Sequence, residues 1–318
     1  MYKVPAILCA AAVVMSCGPS YDATLVPVTT LAGTKGAVHV PKVARRGDVL
    51  YLCDDHLGLS VWDVSKPEAP TRLSVLPDTY DNIYKMEIEG DQLHILADRG
   101  PSVYDIRQPR SPTVVFTGAG ARDVAVLGDY VYLASANGVS LLRLSPGGSW
   151  RDLAQGSSLA ALAQVGERSL LAVGRNYDES ADENFVVWDV TVPGEPRQIY
   201  SERVDGMLDD IAVLGEIAYI AAPDLGVLVY DLSNPAAPRR LARLSGMDAF
   251  NVYVDPESRQ LLVQANNRAV YVLDISDPRQ PRPRAMYETS ASGIAAAPSG
   301  HIVVGNFAGV EMMRLQPR

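Results

Sequence analysis

Short apolar segments alternate with polar turns along most of the chain, and glycine, proline, aspartate or asparagine separates one segment from the next. The segments are rich in valine, isoleucine, leucine and tyrosine, which favour β-strands, and helical periodicity is absent. Residues 158–165 contain alanine and leucine that would suit a helix, but their position in the repeat described below predicts a strand. The pattern therefore predicts an all-β protein.

Four predicted strands follow one another closely in the best-defined part of the chain. Asp210–Leu214 and Ile217–Ala222 are separated by a turn at Gly215, and residues 227–232 form the third strand. A turn containing two prolines then leads to the fourth strand, Arg239–Leu244. Consecutive short strands with short connections are typical of one antiparallel sheet.

The third strand and the turn after it, residues 226–238, form a motif that recurs along the chain. Close copies occupy residues 59–70, 102–112, 186–196 and 270–281. The strand ends in aspartate in five units and in arginine in two weaker ones, at positions Asp63, Asp105, Arg143, Asp189, Asp231, Asp274 and Arg314. A spacing of about 42 residues between units that contain only strands is typical of four-stranded propeller blades. The repeat therefore predicts a seven-bladed β-propeller of four-stranded antiparallel blades.

The aspartate and prolines of the motif have roles in the turn. A carboxylate at a strand end can accept hydrogen bonds from backbone N–H groups two or more residues later. The first proline sets φ within the turn, and the second begins an outer strand, where a missing N–H is tolerated. A ring of catalytic or calcium-binding carboxylates is disfavoured, because equivalent positions in different blades lie far apart.

The two ends of the chain complement each other. The last unit stops after its third strand, and residues 25–31 lack the three strands that should precede them. Pairing these residues with the C-terminal strand would complete the seventh blade and remove two open edges. We therefore expect one propeller domain over residues 25–318, closed by its N-terminal strand.

The motif, with the Gly-Asp-x-x-Tyr pattern before it, as at residues 128–133, resembles the LVIVD repeat family of bacterial and archaeal β-propellers. Five units match well and two match poorly. The resemblance implies an extracytoplasmic propeller, often lipid-anchored. It implies no established activity, no cofactor and no catalytic residues.

The N-terminus has the features of an export signal. Lys3 is followed by the apolar residues 4–15, a run of twelve, which is too short for a spanning helix of about 20 residues. The tetrad at 14–17 resembles the lipobox of bacterial lipoproteins. This resemblance implies that residues 1–16 are removed, that Cys17 is lipidated, and that residues 17–24 form a tether. Gly18 after the cysteine implies the outer membrane rather than the inner one. An ordinary secretory signal and a buried first strand are the alternatives.

The net charge limits the classes of partner, and the cysteine count limits the covalent links within the chain. The chain has a net charge of −9, which argues against nucleic acid, because phosphate binding needs a concentrated basic surface. If Cys9 is removed and Cys17 is lipidated, Cys53 is the only remaining thiol, and no disulfide can form within the chain. Cys53 is then interpreted as a small apolar core residue.

No metal or catalytic motif is evident among the usual candidates. The four histidines, His39, His56, His94 and His301, fall in different units or at no metal-binding spacing. Residues 53–56 are Cys-Asp-Asp-His, but neighbours in one turn cannot all face one ion. The acidic loop 175–184 is interpreted as solvated, with calcium binding as the alternative, since it lacks the glycine of an EF-hand loop. The sequence predicts no cofactor.

The repeat register predicts a ring of polar residues at one mouth of the central channel. The first strand of each propeller blade lines the channel, and counting back five residues from each following turn aligns one position per blade. These positions are Lys42, Lys85, Asp123, Ala161, Asp210, Asn251 and, by a looser alignment, Gly293. The charged and amide members could bind a polar or zwitterionic ligand. A mutually neutralised, solvated mouth is the alternative.

Two function classes follow from these observations. The first is a monomeric, lipid-anchored binding or scaffold module for a protein or glycan partner at the cell envelope. The second is an extracytoplasmic hydrolase or lyase that uses carboxylates at the channel mouth, with Asp209 and Asp210 as the first candidates. The sequence shows no converging nucleophile, acid–base pair or metal set, which favours the binding module.

Overall fold

Seven four-stranded antiparallel sheets surround a central channel, as the repeat predicted. The computed structural model describes residues 21–31, 42–54, 58–76, 83–118, 120–135, 138–144, 150–155, 158–175, 183–266, 269–306 and 309–317. Each sheet is one blade, and in each blade the strands are ordered from the channel outward. The prediction of a seven-bladed β-propeller is confirmed.

The strand bounds of the seven blades are as follows, from the innermost strand to the outermost. Blade 1 has β2 Lys42–Arg46, β3 Val49–Asp54, β4 Gly58–Asp63 and β5 Thr71–Leu76. Blade 2 has β6 Ile83–Glu89, β7 Gln92–Ala97, β8 Gly100–Asp105 and β9 Thr113–Thr117. Blade 3 has β10 Asp123–Leu127, β11 Tyr130–Ser135, β12 Gly138–Arg143 and β13 Trp150–Gln155. Blade 4 has β14 Leu159–Val165, β15 Ser169–Gly174, β16 Phe185–Asp189 and β17 Arg197–Glu202. Blade 5 has β18 Asp210–Leu214, β19 Ile217–Ala222, β20 Gly226–Asp231 and β21 Arg239–Leu244. Blade 6 has β22 Ala249–Asp255, β23 Gln260–Ala265, β24 Ala269–Asp274 and β25 Arg282–Glu288. Blade 7 has β26 Ala291–Ala297, β27 His301–Asn306, β28 Gly309–Pro317 and, outermost, β1 Ala23–Thr30.

The N-terminal strand closes the ring as expected. β1 pairs antiparallel with β28, so that Leu25 lies opposite Leu315 and Ala23 opposite Pro317. The strand begins at Ala23, two residues before the expected boundary at Leu25, because Ala23 is also buried and paired. The last blade is therefore built from both ends of the chain.

The hydrophobic core consists of seven clusters, and each of them lies between two neighbouring blades. The cluster between blades 4 and 5, for example, packs Phe185 and Val187 against Leu228 and Tyr230. Leu31 joins the cluster between blades 7 and 1. Because both faces of every blade are covered, the middle strands are apolar on both sides rather than alternating. This explains the continuous apolar segments in the sequence.

The motif aspartates stabilise the turns between third and fourth strands. In five blades the carboxylate accepts a hydrogen bond from the backbone N–H two residues later, at distances of 2.7–3.0 Å. Hydrogen bonds from that residue's side chain and backbone lower the pKa of each carboxyl group, to about 2 for Asp231. The first proline occupies the second position of a tight turn, as in Ala237 N–H donating to Asn234 C=O across Pro235. The turn role predicted for the motif is confirmed.

The two faces of the ring are distinct. We call the face where the inner strands begin, near Lys42 and Asp210, the upper face. The opposite face, where the inner strands end and the motif turns lie, is the lower face. Since Asp231 pairs with Arg239 at the lower end of blade 5, every outer strand starts from the lower face. In the described part of the chain no helix has the length and hydrophobicity needed to cross a membrane.

Replacing Gly226 by alanine should destabilise the protein by about 3 kcal/mol or more. Gly226 begins β20 with φ +92°, and a Cβ atom there would lie 2.0 Å from the backbone carbonyl oxygen of Leu244. Gly215 is a matched control, because its φ is +63° but a Cβ atom would meet nothing within 4 Å. Gly215→Ala should cost about 1 kcal/mol, which is the left-handed backbone penalty alone. Urea unfolding of the two variants measures the difference, and equal losses would contradict the close-approach explanation.

Candidate functional site

The central channel contains a cavity of about 250 Å³ that is lined by residues of six inner strands. The predicted ring positions are equivalent in the structure, since each pairs with the corresponding position of the second strand in its blade. Lys42, Lys85, Asp210, Asn251 and Gly293 face the cavity. Asp123 lies behind them with no exposed surface.

Lys85 is the centre of a buried ion-pair network, which we call the Lys85 hub. Its Nζ lies 2.9 Å from Asp123 Oδ2, 3.0 Å from Asp210 Oδ1 and 2.9 Å from Glu87 Oε2. Lys85 belongs to blade 2, Asp123 to blade 3 and Asp210 to blade 5, so the ammonium group connects opposite sides of the ring. Burial alone would lower the pKa of Lys85. The charges of the three carboxylates outweigh that effect and raise the pKa well above its usual value.

The two aspartates of the hub also connect neighbouring blades. Asp123 Oδ2 accepts a hydrogen bond of 2.8 Å from the backbone N–H of Leu162 in blade 4. Asp210 Oδ2 accepts one of 3.0 Å from the N–H of Val252 in blade 6. Both inner strands that donate have a β-bulge just before the donor, and bulges leave backbone groups unpaired by the ladder. Each aspartate therefore accepts a hydrogen bond from a buried backbone N–H that has no partner within the sheet to which that N–H belongs.

The other two predicted polar residues lie around the hub. Asn251 Nδ2 is 3.5 Å from Asp210 Oδ2. Burial lowers the pKa of Lys42 to about 8, and attraction to Asp210 only partly opposes that shift. The structure thus brings Lys42, Lys85, Asp210 and Asn251 around one space, with Asp123 directly behind it.

Sequence reasoning missed two titratable residues that line the cavity, Glu87 and Glu89, and did not place His94 beside Glu87. Lys85, Glu87 and Glu89 alternate along β6, which places their side chains on the same side of the strand. Burial raises the pKa of Glu87 to about 8 and that of Glu89 to about 7, with Asp123 adding to both shifts. Burial, followed by the charge of Lys85, lowers the pKa of His94 to about 4. The charged residue at every second position of β6 was a usable sequence signal.

A second buried ion pair lies toward the lower ends of the inner strands. Arg45 Nη2 in blade 1 lies 2.9 Å from Asp255 Oδ1 in blade 6, and both side chains are almost completely buried. Arg45 Nη1 is also 3.4 Å from Glu257 Oε2. This pair therefore connects blades 1 and 6 across blade 7.

The upper mouth of the channel carries an arc of exposed side chains over blades 2 to 4. Tyr84, beside Lys85 on β6, has half of its surface exposed. Arg122 in blade 3 is exposed, and its Nη1 donates to Ser158 Oγ at 2.6 Å. Arg175 in blade 4 binds the carboxylate of Asp209 through Nε and Nη2, at 2.6 and 3.0 Å. We call Tyr84, Arg122 and Arg175 the mouth arc.

The carboxylates proposed for an enzyme mechanism both have structural partners. Asp209 is bound by Arg175, and its pKa is nevertheless raised, because burial outweighs the guanidinium charge. Asp210 is held by Lys85 and by the backbone of blade 6. Both carboxylates are almost completely buried and ion-paired, which favours a structural role.

The remaining sequence candidates are separated in space or lie outside the described residues. Cys53 is a buried core residue between blades 1 and 2. His94 and His301 are buried in different blades, while His39, Asp55, His56 and residues 176–182 of the acidic loop lie outside the described residues. Within the described ranges, no three histidine, cysteine or acidic side chains are grouped to hold a metal ion. Cys17 also lies outside them.

Comparison with known proteins identifies the repeat. A model described as "LVIVD repeat" matches residues 118–141 and 205–243, which lie in blades 3 and 5. The blade 3 match includes a unit that we ranked as weak, because its inner strands keep the pattern although Arg143 replaces the motif aspartate. A comparison with curated protein sequences gives no significant match.

A solved structure supports the fold alone. The crystal structure of the computationally designed Ika8 protein is similar to this chain, with a TM-score of 0.60 and 14% sequence identity. The similarity covers 91% of this chain and 99% of the designed one. At this identity it supports the architecture and carries no information about a ligand.

Proposed function

We propose that this seven-bladed propeller with LVIVD repeats is a lipid-anchored binding or scaffold module of the cell envelope. Cys17 supplies the anchor, at the outer membrane, and the propeller acts as a monomer. The mouth arc on the upper face contacts the partner, which is a protein or a glycan. The observation that carries this proposal is the position of the arc next to the Lys85 hub: Tyr84 precedes Lys85, Arg122 precedes Asp123, and Arg175 binds Asp209, which precedes Asp210.

The side chains of the mouth arc suit recognition. Tyrosine and arginine are the residue types that contribute most to binding energy at interfaces, since each offers a large flat surface together with polar groups. A tyrosine ring or a guanidinium plane can stack on a sugar ring or on an aromatic side chain, and arginine can also bind a carboxylate in two places. These features support a protein or glycan partner equally.

The hub makes the arc rigid. Tyr84 is adjacent to Lys85, whose ammonium group is held by three carboxylates, and Arg175 is held by Asp209. Side chains on rigid strands lose little conformational freedom on binding, which strengthens affinity. Asp209 and Asp210, the carboxylates that an enzyme mechanism would use, are instead paired with Arg175 and Lys85.

One observation favours the alternative of a hydrolase or lyase. Asp209 and Glu87 have raised pKa values, and Glu87 lines the cavity, which is also a property of acid–base catalysts. In that case Asp209→Asn should abolish turnover of an envelope substrate. Under the binding proposal the same change weakens the support of Arg175 and abolishes no reaction.

The test is photo-crosslinking at the mouth arc in intact cells. A crosslinking amino acid at position 84 should capture one partner, and Arg122→Ala should reduce the captured amount by about tenfold. A crosslinker at position 110, on the lower face, with Arg110→Ala is the matched control and should not capture it. Equal capture at positions 84 and 110 would contradict the proposed binding face.

For the anchor, Cys17→Ser should abolish incorporation of radiolabelled fatty acid and release the protein from membranes.

A further inference from the structure

The chain enters the propeller at a defined point of the lower face. β1 starts at Ala23 on the outside of blade 7, and Ala23 pairs with Pro317 at the lower end of that blade. Just before it, Asp22 Oδ1 lies 3.3 Å from Arg284 Nε on the outer strand of blade 6. The segment that leads to Cys17 therefore leaves the propeller beside Arg284.

The length of that segment limits how far the propeller can lie from the membrane. Six Cα-to-Cα steps separate Cys17 from Ala23, and a fully extended chain of that length spans about 20 Å. If Cys17 carries the lipid, as proposed above, the lower rim of blades 6 and 7 lies within about 20 Å of the headgroups. This step rests on the proposed anchor.

The rim beside this point is rich in arginine although the whole chain is acidic. The outer strands of blades 5 and 6 start at the lower face with Arg239-Arg240 and with Arg282-Pro283-Arg284. The outer strand of blade 2, on the opposite side of the ring, has no charged residue. Arginines therefore begin the outer strands next to the point where the anchor segment leaves, whereas none lies in the outer strand of blade 2.

Two of these arginines are available for a ligand. Arg240 and Arg282 are exposed and make no hydrogen bond or ion pair within the described residues. Arg239 and Arg279 both approach Asp231, whose carboxylate is almost completely buried, so that two guanidinium groups share one anion. On this rim the five arginines outnumber the four aspartates by one, whereas the whole chain has a net charge of −9; the arginines are Arg239, Arg240, Arg279, Arg282 and Arg284, and the aspartates are Asp22, Asp231, Asp274 and Asp277.

From the chain path and this charge we infer that the lower rim of blades 5 to 7 faces the bilayer, where Arg240 and Arg282 bind phosphate-bearing lipid headgroups. Arginine binds phosphate with two parallel hydrogen bonds, and each basic residue near an anionic surface increases binding by about fivefold. The bilayer surface is the occupant that the six-residue tether can reach. With the lower face toward the membrane, the mouth arc faces away from it.

The test measures lipid binding without the anchor, so that it is independent of the proposed lipidation. The full chain with Cys17→Ser is mixed with vesicles of phosphatidylcholine alone or with about 30% phosphatidylglycerol, and bound protein is measured by flotation. Binding to the anionic vesicles is expected, and it should decrease as salt is raised. The Arg240→Gln, Arg282→Gln double variant should bind about 25-fold more weakly. The matched control, Lys66→Gln with Arg110→Gln, removes two exposed charges from the lower face of blades 1 and 2 and should bind as the parent does.

Two results would overturn the inference. No preference for anionic vesicles would mean that the arginines only prevent edge-to-edge strand pairing. Equal losses in the rim and control variants would mean that no defined surface faces the bilayer. Failure of lipidation at Cys17 is detected separately by fatty-acid labelling, and it leaves the vesicle result unchanged. Circular dichroism of all variants confirms that they are folded.

Discussion

Replacement of Lys85 by methionine should reduce the free energy of unfolding by about 3–5 kcal/mol, measured by urea denaturation at pH 7.5. Methionine has a similar length, so the channel keeps its packing while it loses the ammonium group. Glu87, Asp123 and Asp210 then share a buried space with no cation between them. Breaking a buried ion-pair network by removing one partner leaves uncompensated charges, which is the costly case.

The loss should become smaller as the pH falls. Burial already raises the pKa of Asp123 and brings that of Glu87 to about 8, and removal of the ammonium raises both further. The folded variant then binds more protons than the unfolded chain at neutral pH, so its stability decreases as pH rises and recovers as pH falls toward 5. Glu89, with a folded pKa of about 7 against 4.5 unfolded, contributes a slope of the same sign to the unmodified protein.

Lys66→Met is the matched control for this prediction. Lys66 is exposed in the lower-face turn of blade 1 and is not part of the Lys85 hub, so its loss should change stability by less than about 0.5 kcal/mol. A pH-independent loss in Lys85→Met, or the same loss in both variants, would mean that the Lys85 hub does not stabilise the ring.

Replacement of Leu25 by aspartate should abolish cooperative unfolding of the intact ring or reduce its stability by more than about 4 kcal/mol. Leu25 lies in β1, is 7% exposed, and packs in the cluster between blades 6 and 7. A buried, unpaired carboxylate there should detach β1 from β28. Without β1 the seventh blade ends at the exposed edge of β28, and the hydrogen-bonded closure between the two ends of the chain is lost.

The neighbouring Val26 provides the control within the same strand. Its side chain points to the other side and is 36% exposed, so Val26→Asp should cost less than about 1 kcal/mol. Thermal unfolding followed by circular dichroism measures stability, and size-exclusion chromatography detects association through the open edge. If both variants unfold like the unmodified protein, closure by β1 does not stabilise the propeller.

The repeat was sufficient to predict the architecture because its signals are local. The turn after Asp231 is stabilised by residues only a few positions away in the chain. Glycine occurs at position 226 because the neighbouring strand approaches the backbone closely there. A local rule repeated at a constant spacing defines the blade, and the number of units defines the ring. Even the outermost strand of blade 7 could be assigned, because the incomplete first and last units complement each other.

The channel could be predicted only in part. Register placed Lys42, Lys85, Asp123, Asp210 and Asn251 at equivalent levels of their inner strands, and the structure confirms those levels. The register did not predict which residues these side chains contact. Lys85 reaches across the ring to Asp210, and Asp123 accepts from the backbone of Leu162, since these distances depend on the curvature and twist of the closed ring. The raised pKa values of Glu87 and Glu89 could not be predicted, because they arise first from burial in the closed channel, with charges on other blades adding to the shift.

The amino-acid sequence thus settles the blade, the number of blades, the turn chemistry and the closing strand, all of which depend on neighbours along the chain or on simple periodicity. The closed ring decides which side chains meet in the channel, which carboxylates are committed to holding blades together, and which face the arginine-rich rim and the mouth arc occupy. Those features depend on distances between blades that are far apart in sequence, and the distances exist only after seven separate sheets have packed around one axis.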